Sequence, residues 1–195
     1  MITLIPIQKI FTAIAILYAV TILAIIAIFE VSGFSSISVA VRGAFLLELL
    51  ILSFVVFGWR KLWQKFPVLN EWVYPDLNGK WNVSIHWRWG EKMGTKIATA
   101  HIKQDFFRLS MELVSDESES ETLMVKPKKD SESARPLIYY IYRNEPTRGS
   151  ANSRPPHKGA AILKLDHNDR NILKGNYFTD QATNGHFEMR RENQI

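Results

Sequence analysis

The amino-acid sequence predicts a mixed membrane protein, in which a two-helix transmembrane hairpin precedes an antiparallel eight-stranded β-barrel. Two long apolar runs lie near the N-terminus, and eight short segments of alternating polarity follow them, separated by turn-rich pieces. The 195 residues suffice for one ordinary domain and a small appendage. We therefore expect transmembrane helices within residues 1–60, a linker over 61–78 and a barrel over 79–195.

Two apolar runs predict the helices. Residues 10–29 carry no charge and, at about 1.5 Å of rise per residue, cover roughly the 30 Å of a hydrocarbon core. Residues 39–59 form a run of similar length with two charges. We expect helices over about residues 8–30 and 38–59. The alternatives are a cleaved signal peptide for the first run and a buried helix of a soluble core for the second.

The two charged residues of the second run are Arg42 and Glu48. Glu48 falls near the expected middle of the bilayer, where a carboxylate costs several kcal/mol or stays protonated. We expect it either at a helix–helix seam that matters when subunits cluster, or protonated and bonded within its own hairpin. Arg42 lies six positions earlier, on a different helical face, and can extend to the outer surface.

The basic residues near the apolar runs predict the orientation. Lys9 precedes the first run and Arg60, Lys61 and Lys65 follow the second, whereas the loop between the runs has no lysine or arginine. The positive-inside rule then places both termini and the barrel in the cytoplasm. The absence of cysteine fits a reducing compartment and excludes disulfides and thiolate chemistry. The net charge of +5 is mild and suits an anionic lipid or ligand.

Alternating polarity predicts the strands. In residues 80–89, "KWNVSIHWRW", one face holds Trp81, Val83, Ile85, Trp87 and Trp89. Seven further strands are expected over residues 96–104, 106–115, 120–128, 136–144, 159–166, 172–180 and 185–192. Eight such strands fit an up-and-down barrel or a sandwich. We favour the barrel, because closure removes the edge strands and leaves an interior that can hold one small ligand.

Four strands place small, polar or aromatic residues at every second position. These series are Ile138, Tyr140, Tyr142 and Asn144; His157, Gly159, Ala161 and Leu163; Leu173, Gly175, Tyr177 and Thr179; and Thr183, Gly185, Phe187 and Met189. Glycine within a strand marks a tight bend or the close approach of a ligand. Each hydroxyl could simply be satisfied by a neighbouring backbone group, but as a set the polar interior favours a binding cavity.

A series of short motifs follows the apolar runs in a fixed order: "YPDLNGKW", "IKQDF", "DESESE", "IYYIYRNEP", "HKGAAIL", "LKGNYFTD" and "TNGHFEM". Each is weak alone. Their order and spacing over nearly the whole chain resemble one bacterial family, the two-transmembrane, β-strand-rich effectors of cyclic-oligonucleotide-based anti-phage signalling systems (CBASS).

The resemblance implies a fold, a ligand and an outcome. The fold is a membrane-anchored, lipocalin-like barrel in the bacterial inner membrane. The ligand is a cyclic dinucleotide made by a partner nucleotidyltransferase, with no role for DNA or RNA. Ligand binding would drive homo-oligomerisation, the clustered helices would disrupt the lipid bilayer, and the infected cell would die before phage spread.

A cyclic dinucleotide needs cations, hydrogen-bonding groups and aromatic surfaces. The candidate ligand-binding residues are Tyr140, Tyr142, Tyr177, Asn144, Gln104, Thr179, Arg108 and His157. Arg108 is expected to face inward because it is in phase with Gln104. His157 either caps the cavity mouth or lies on the surface. Ser118 and Ser120 lie among acidic residues, which fits a solvated loop as well as a site at the rim.

Gly79 and Trp81 have the glycine-x-tryptophan spacing that opens lipocalin barrels, where the indole closes one end against an arginine of the last strand. Arg191, in phase with Gly185 and Phe187, is the candidate partner here and is also expected to face inward, with Arg190 as the alternative. Such a cation–π contact would be structural.

Catalytic and metal sites are not predicted. The five histidines lack the spacing of a zinc site, and the sequence has no nucleophile elbow, phosphate-binding loop or paired-carboxylate motif. We therefore expect no catalytic residue, metal or cofactor. The rival functions are a membrane-tethered barrel that binds a lipid or other apolar ligand and, with less support, a membrane-anchored hydrolase.

Overall fold

A computed structural model describes residues 7–29, 34–147 and 155–192 of the chain. The chain divides into two compact units, Ile2–Trp72 and Val73–Ile195. The first unit is helical and the second is a β-barrel.

In its described residues, the helical unit contains four helices and a π-helical segment. They are α1 (Ile7–Phe29), α2 (Phe34–Ser53), the π segment Phe54–Gly58, α3 (Trp59–Lys65) and α4 (Val68–Trp72). Within the described residues, one helical stretch, Ile37–Lys65, is long and apolar enough to cross a membrane, with a mean hydropathy of 2.2. The apolar part of α1, Thr12–Ile28, is shorter. The structure is helical in both apolar runs, and the transmembrane hairpin itself stays a prediction.

Helices α1 and α2 contact each other. The Tyr18 hydroxyl of α1 donates a hydrogen bond of 2.9 Å to the Ala40 carbonyl of α2. Gly43 lies against Ile22, and a Cβ atom at this glycine would be 2.5 Å from Ile22 Cδ1. The absence of a side chain at Gly43 therefore lets the two helices approach closely, as small residues do between apolar helices.

The two charged residues of α2 are both exposed. Glu48 makes no hydrogen bond or ion pair with any residue that the structure describes. The two interpretations of Glu48, a seam between helices or a bond within its own helix pair, both stay predictions. An exposed carboxyl group in an apolar helix can still form a hydrogen bond with a group of another molecule.

The barrel unit consists of eight antiparallel strands. They are β1 (Gly79–Trp89), β2 (Lys92–Gln104), β3 (Leu109–Val114), β4 (Ser118–Lys129), β5 (Pro136–Pro146), β6 (His157–Leu165), β7 (Ile172–Thr179) and β8 (Asn184–Arg191). Each strand pairs with the next, and β8 pairs with β1, so the barrel is closed. The predicted eight-stranded barrel is confirmed, and the sandwich alternative is wrong.

The strand register defines two ends of the barrel. At the closed end, where β1 begins, Gly79 pairs with Ile102 and Trp81 pairs with Arg191. At the open end, where β1 finishes, Trp87 pairs with both Gly94 and Gly185. The predicted inward series run between these ends, and their burial follows the expected alternation.

The closed end is filled by Trp81, whose side chain is 0% exposed. Its indole N–H donates to the Leu77 carbonyl at 3.0 Å, and the Arg191 guanidinium carbon lies 5.7 Å from the ring centroid. The same guanidinium donates to the carbonyls of Asp76 (3.1 Å) and Asn78. Arg191, not the exposed Arg190, is thus the cation over the tryptophan.

The segment before β1 is fixed across the closed end by Gln104 and Tyr74. Gln104 accepts from the Leu77 N–H at 2.7 Å and donates to the Pro75 carbonyl at 3.1 Å. The Tyr74 hydroxyl donates to the Leu137 carbonyl at 2.9 Å, and burial raises the pKa of this hydroxyl well above its usual value. The buried polar groups of Gln104 and Tyr74 are therefore hydrogen-bonded to the backbone of the chain itself.

Candidate functional site

A cavity of about 140 Å³ lies inside the barrel at the open end. Its wall combines aromatic rings with polar groups, and residues from all eight strands and from the turns before β4 and β8 line it. The polar lining includes Lys96, Glu117, Ser120, Tyr142, Asn144 and His157. Aromatic surface with a few convergent polar groups is the usual composition of a small-molecule site.

Two stacked pairs of rings form much of the cavity wall. Tyr140 and Tyr142 stack with centroids 5.0 Å apart and an interplanar angle of 20°. Tyr177 and Phe187 stack at 4.5 Å and 17°. Two of the predicted stacking residues, Tyr140 and Tyr142, therefore stack on each other, and the third, Tyr177, stacks on Phe187.

Three strand glycines lie directly beneath aromatic rings of the open end. The pairs are Gly94 with Trp87, Gly159 with Tyr142, and Gly185 with Tyr177. A Cβ atom at Gly94 would lie 2.7 Å from Trp87 Cζ2, and one at Gly185 would lie 2.8 Å from Tyr177 Cε1. These glycines provide room for side chains of the barrel itself. At Gly94 and Gly159 the approaching group is an aromatic ring, whereas at Gly185 the His86 backbone carbonyl approaches more closely than the Tyr177 ring.

The hydroxyls of Tyr140 and Tyr142 differ in their surroundings. Tyr140 Oη lies 2.8 Å from Ser120 Oγ, which also accepts a hydrogen bond of 2.8 Å from the Leu113 N–H. Burial raises the pKa of Tyr140 to about 12. Burial also raises the pKa of Tyr142, whose hydroxyl has no hydrogen-bond partner among the described residues. Tyr142 therefore offers the cavity a neutral hydroxyl that can both donate and accept.

The remaining predicted residues at the open end are Asn144, His157 and Thr179, and all three line the cavity. Asn144 pairs with His157 across β5 and β6, and both are half-buried. Thr179 is already engaged: its hydroxyl donates to the Thr183 carbonyl at 3.3 Å and accepts from the Thr183 N–H at 3.2 Å. Its hydroxyl holds the turn between β7 and β8.

Lys96 and Glu117 form an ion pair at the cavity mouth, and sequence reasoning missed both. Lys96 shares the inward parity of Ala98 and Ala100, so alternation contained a signal for it. Glu117 lies in the turn between β3 and β4, where alternation gives no direction. The pair brings opposite charges to the opening through which a ligand would enter.

Three predicted positions lie away from the cavity. Gln104 and Arg191 face inward as expected, but at the closed end, where both bind the segment before β1. The inward orientation of Arg108 is wrong. The chain turns at Asp105, whose carboxylate accepts from the N–H groups of Phe107 (2.7 Å) and Arg108 (2.6 Å), and Arg108 is exposed. This Asx turn removes the period-two phase on which the prediction depended.

The acidic-serine segment is also not a solvated loop throughout. Strand β4 starts at Ser118, so Ser120 points inward while Glu119 and Glu121 are exposed. Ser118 and Ser120 both line the cavity. Strand alternation thus separates the serines from the carboxylates, and a ligand-binding role for the serines stays a prediction.

No group of three or more metal-ligating side chains is found in the described ranges.

Residues 72–191 match the family model described as "Cap15, cyclic dinucleotide receptor domain". The chain belongs to this family. CD-NTase-associated protein 15 of Staphylococcus schleiferi is a Cap15 relative, 26% identical over 144 residues that cover 72% of this chain and 75% of the relative. The resemblance inferred from the short motifs is thereby confirmed. The range matched as the Cap15 domain contains both the closed end and the cavity.

Proposed function

We propose that this protein is a cyclic-dinucleotide-gated membrane effector of CBASS immunity. The ligand binds at the open end of the barrel, binding promotes homo-oligomerisation, and the helices then disrupt the inner membrane and kill the infected cell. The observation that carries the proposal is a cavity lined by aromatic and polar groups in a domain of the cyclic dinucleotide receptor family.

The cavity chemistry suits a nucleotide better than a lipid. Tyr142 and Asn144 offer hydrogen-bonding groups to base edges or ribose hydroxyls, and Trp87 and Tyr177 offer aromatic faces. Lys96 supplies a positive charge for a phosphate. An apolar ligand would leave these polar groups unsatisfied in a dry site, which costs free energy.

The cavity volume indicates which part of the ligand would lie inside the barrel and which part would lie at the mouth. Pockets for drug-sized ligands measure about 300–1,000 Å³, whereas the cavity holds about 140 Å³. One part of a cyclic dinucleotide would enter the cavity, and the rest would occupy the mouth near Lys96 and His157. Alternatively, the Tyr142 ring shifts to enlarge the site.

The helical unit would act on the bilayer. Residues 1–60 form the membrane part, residues 61–78 the linker and residues 79–195 the cytoplasmic ligand-binding part, with both termini in the cytoplasm. Support comes from the apolar stretch Ile37–Lys65 and from the exposed Glu48, which has no bonding partner among the residues that the structure describes. We place Glu48 at a seam between helices of neighbouring subunits, where an exposed carboxyl group gains a bonding partner.

Ligand binding is tested by thermal shift on the full chain in detergent. The panel comprises cyclic di-AMP, cyclic di-GMP, the linkage isomers of cyclic GMP–AMP, and linear dinucleotides of the same bases as controls. At a hundredfold excess over Kd, a ligand of the folded state stabilises it by about 2.7 kcal/mol. We expect one cyclic compound to raise the melting temperature. A shift with fatty acids or phospholipid, and with no cyclic dinucleotide, would favour the apolar-ligand function.

Membrane disruption is tested by dye release from vesicles that contain the full chain. We expect release on addition of the bound cyclic dinucleotide, and much less release from Glu48→Leu at unchanged ligand affinity. Glu48→Gln retains hydrogen bonding and serves as the matched variant. Ligand-triggered release that is unchanged in Glu48→Leu would remove the seam from the proposal.

A further inference from the structure

The cavity mouth holds one cation that faces the ligand space. Lys96 lies on the inward-facing series of β2, one step beyond Ala98 toward the open end. Among the described residues that line the cavity, it is the only lysine or arginine.

The partner of Lys96 is held by a firmly bonded turn. Glu117 lies between Ser115 and Ser118, whose backbone and hydroxyl groups bond to each other at 2.9 to 3.2 Å. The Glu117 carbonyl also accepts from the Thr147 N–H at 2.9 Å. The turn therefore presents the Glu117 carboxylate at a defined place beside Lys96.

The ion pair itself is easy to exchange. The side chains of Lys96 and Glu117 are each 44% exposed, and solvent-exposed pairs contribute little net stability. A phosphodiester carries one negative charge on two oxygens, as a carboxylate does, so the ammonium group can bind either. The volume of the cavity leaves part of a cyclic dinucleotide at the mouth, within the region of this ammonium group.

We propose that the Lys96–Glu117 pair is the phosphate subsite of the receptor, occupied by an internal carboxylate until ligand arrives. Lys96 binds a phosphate of the ligand, and Glu117 competes with that phosphate for the same ammonium group. Bound phosphate and the displaced carboxylate repel each other, so ligand binding moves the Glu117 carboxylate away from Lys96 while the turn between β3 and β4 keeps its own hydrogen bonds. This inference rests on the proposed function, because it assigns residues within that site.

Competition gives two substitutions opposite effects on affinity. Lys96→Met removes a charge-assisted hydrogen bond, and we expect it to weaken binding about tenfold or more. Glu117→Gln removes the competitor and its repulsion of phosphate, and we expect binding to tighten about twofold to fivefold. Lys96→Arg keeps the charge and should bind within a few-fold of the unmodified protein.

The chain offers a matched control at the closed end. Lys80 and Glu192 form an ion pair of 3.1 Å with similar exposure, 50% and 45%, and lie far from the cavity in the strand register. Lys80→Met and Glu192→Gln change the net charge by the same amounts. We expect neither to change affinity, which separates a local phosphate site from a general effect of charge.

The experiment is isothermal titration of the full chain in detergent with the same cyclic dinucleotide panel, after melting curves confirm that each variant is folded. Tighter binding by Glu117→Gln with weaker binding by Lys96→Met supports the subsite. Unchanged or weaker binding by Glu117→Gln, while the unmodified protein binds normally, would overturn the inference and leave the proposed function standing. If the folded, unmodified protein bound no member of the panel, both would fail.

Discussion

The two ends of the barrel use similar residue types for different purposes. At the closed end, Trp81, Gln104 and Arg191 bond to the segment before β1 and fill the interior. At the open end, Tyr142 has a hydroxyl without a partner among the described residues, and Lys96 is held only by an exposed ion pair. The difference shows how the contacts at one end of a barrel can stabilise the fold while polar groups at the other end can bind a ligand.

The largest effect is expected for Trp81→Ala at the closed end. Truncating a fully buried tryptophan costs about 3–5 kcal/mol, because the lost burial and the remaining cavity both destabilise the fold. Chemical denaturation of the barrel, followed by circular dichroism, measures the change. Trp89 lies on the same strand but is 50% exposed, so Trp89→Ala should cost less than about 1 kcal/mol. Similar losses for both variants would contradict the closed-end account.

The second-largest loss of unfolding free energy is expected for substitution of Arg191. Arg191→Met removes the hydrogen bonds to the Asp76 and Asn78 carbonyls and the contact with the Trp81 ring, and we expect a loss of about 2–3 kcal/mol. Arg190→Met is the control, because Arg190 is exposed and lies 3.8 Å from Asp169. The same denaturation measurement should show a change of less than about 0.5 kcal/mol for that variant. Equal effects would mean that the cation over Trp81 has no special role.

The stacked tyrosines of the open end allow a finer comparison. Tyr140→Phe loses the bond to Ser120 and should cost about 1 kcal/mol of unfolding free energy. Tyr142→Phe loses no bond with a described residue, so stability should change by less than about 0.5 kcal/mol while ligand affinity falls. Thermal melts and titration of the two variants, side by side, distinguish them. Reversal of the two patterns would show that the hydroxyl roles are assigned wrongly.

The smallest effect concerns Asp130, which follows β4 at the closed end. Hydrogen bonds from Lys164 and from the N–H groups of Ser133 and Glu132 hold the pKa of this carboxyl well below its usual range. Because the pKa of this carboxyl is lower in the folded than in the unfolded state, its charge stabilises the fold at pH values above about 3.9, the unfolded pKa. That stabilisation is lost progressively as the pH falls below this value and through the folded-state pKa. Asp130→Asn should therefore lower the melting temperature slightly at pH 7 and progressively less below about pH 4. A difference that grew on acidification would contradict this assignment.

The sequence predicted the barrel well because its signal is local. The first strand alternates between apolar and polar residues, so Trp81, Val83 and Ile85 could be placed on one face without knowing the neighbouring strands. The glycine-x-tryptophan spacing also pointed to the pairing of Trp81 with Arg191, since a barrel brings its first and last strands together. Within one strand, the alternation of residues determines which side chains share a face, and no information on neighbouring strands is needed.

The site was predicted less completely because it depends on register and turns. Alternation placed Gln104 inside the barrel but could not say at which end, which only the pairing of β1 with β2 determines. The prediction for Arg108 extended the alternation of β2 beyond Gln104, but the turn at Asp105 interrupts that alternation. The ion pair of Lys96 and Glu117 joins a strand to a turn some twenty residues away, and no local pattern records that contact.

Hydrogen exchange on the full chain tests the central claim most directly, namely that one end binds ligand while the other maintains the fold. The chain is compared in detergent with and without a saturating cyclic dinucleotide from the panel. Protection should increase at the open end, over residues 113–120 and 140–146, and stay unchanged over residues 74–81 at the closed end. Protection gained over residues 74–81, with the open end unchanged, would contradict the account.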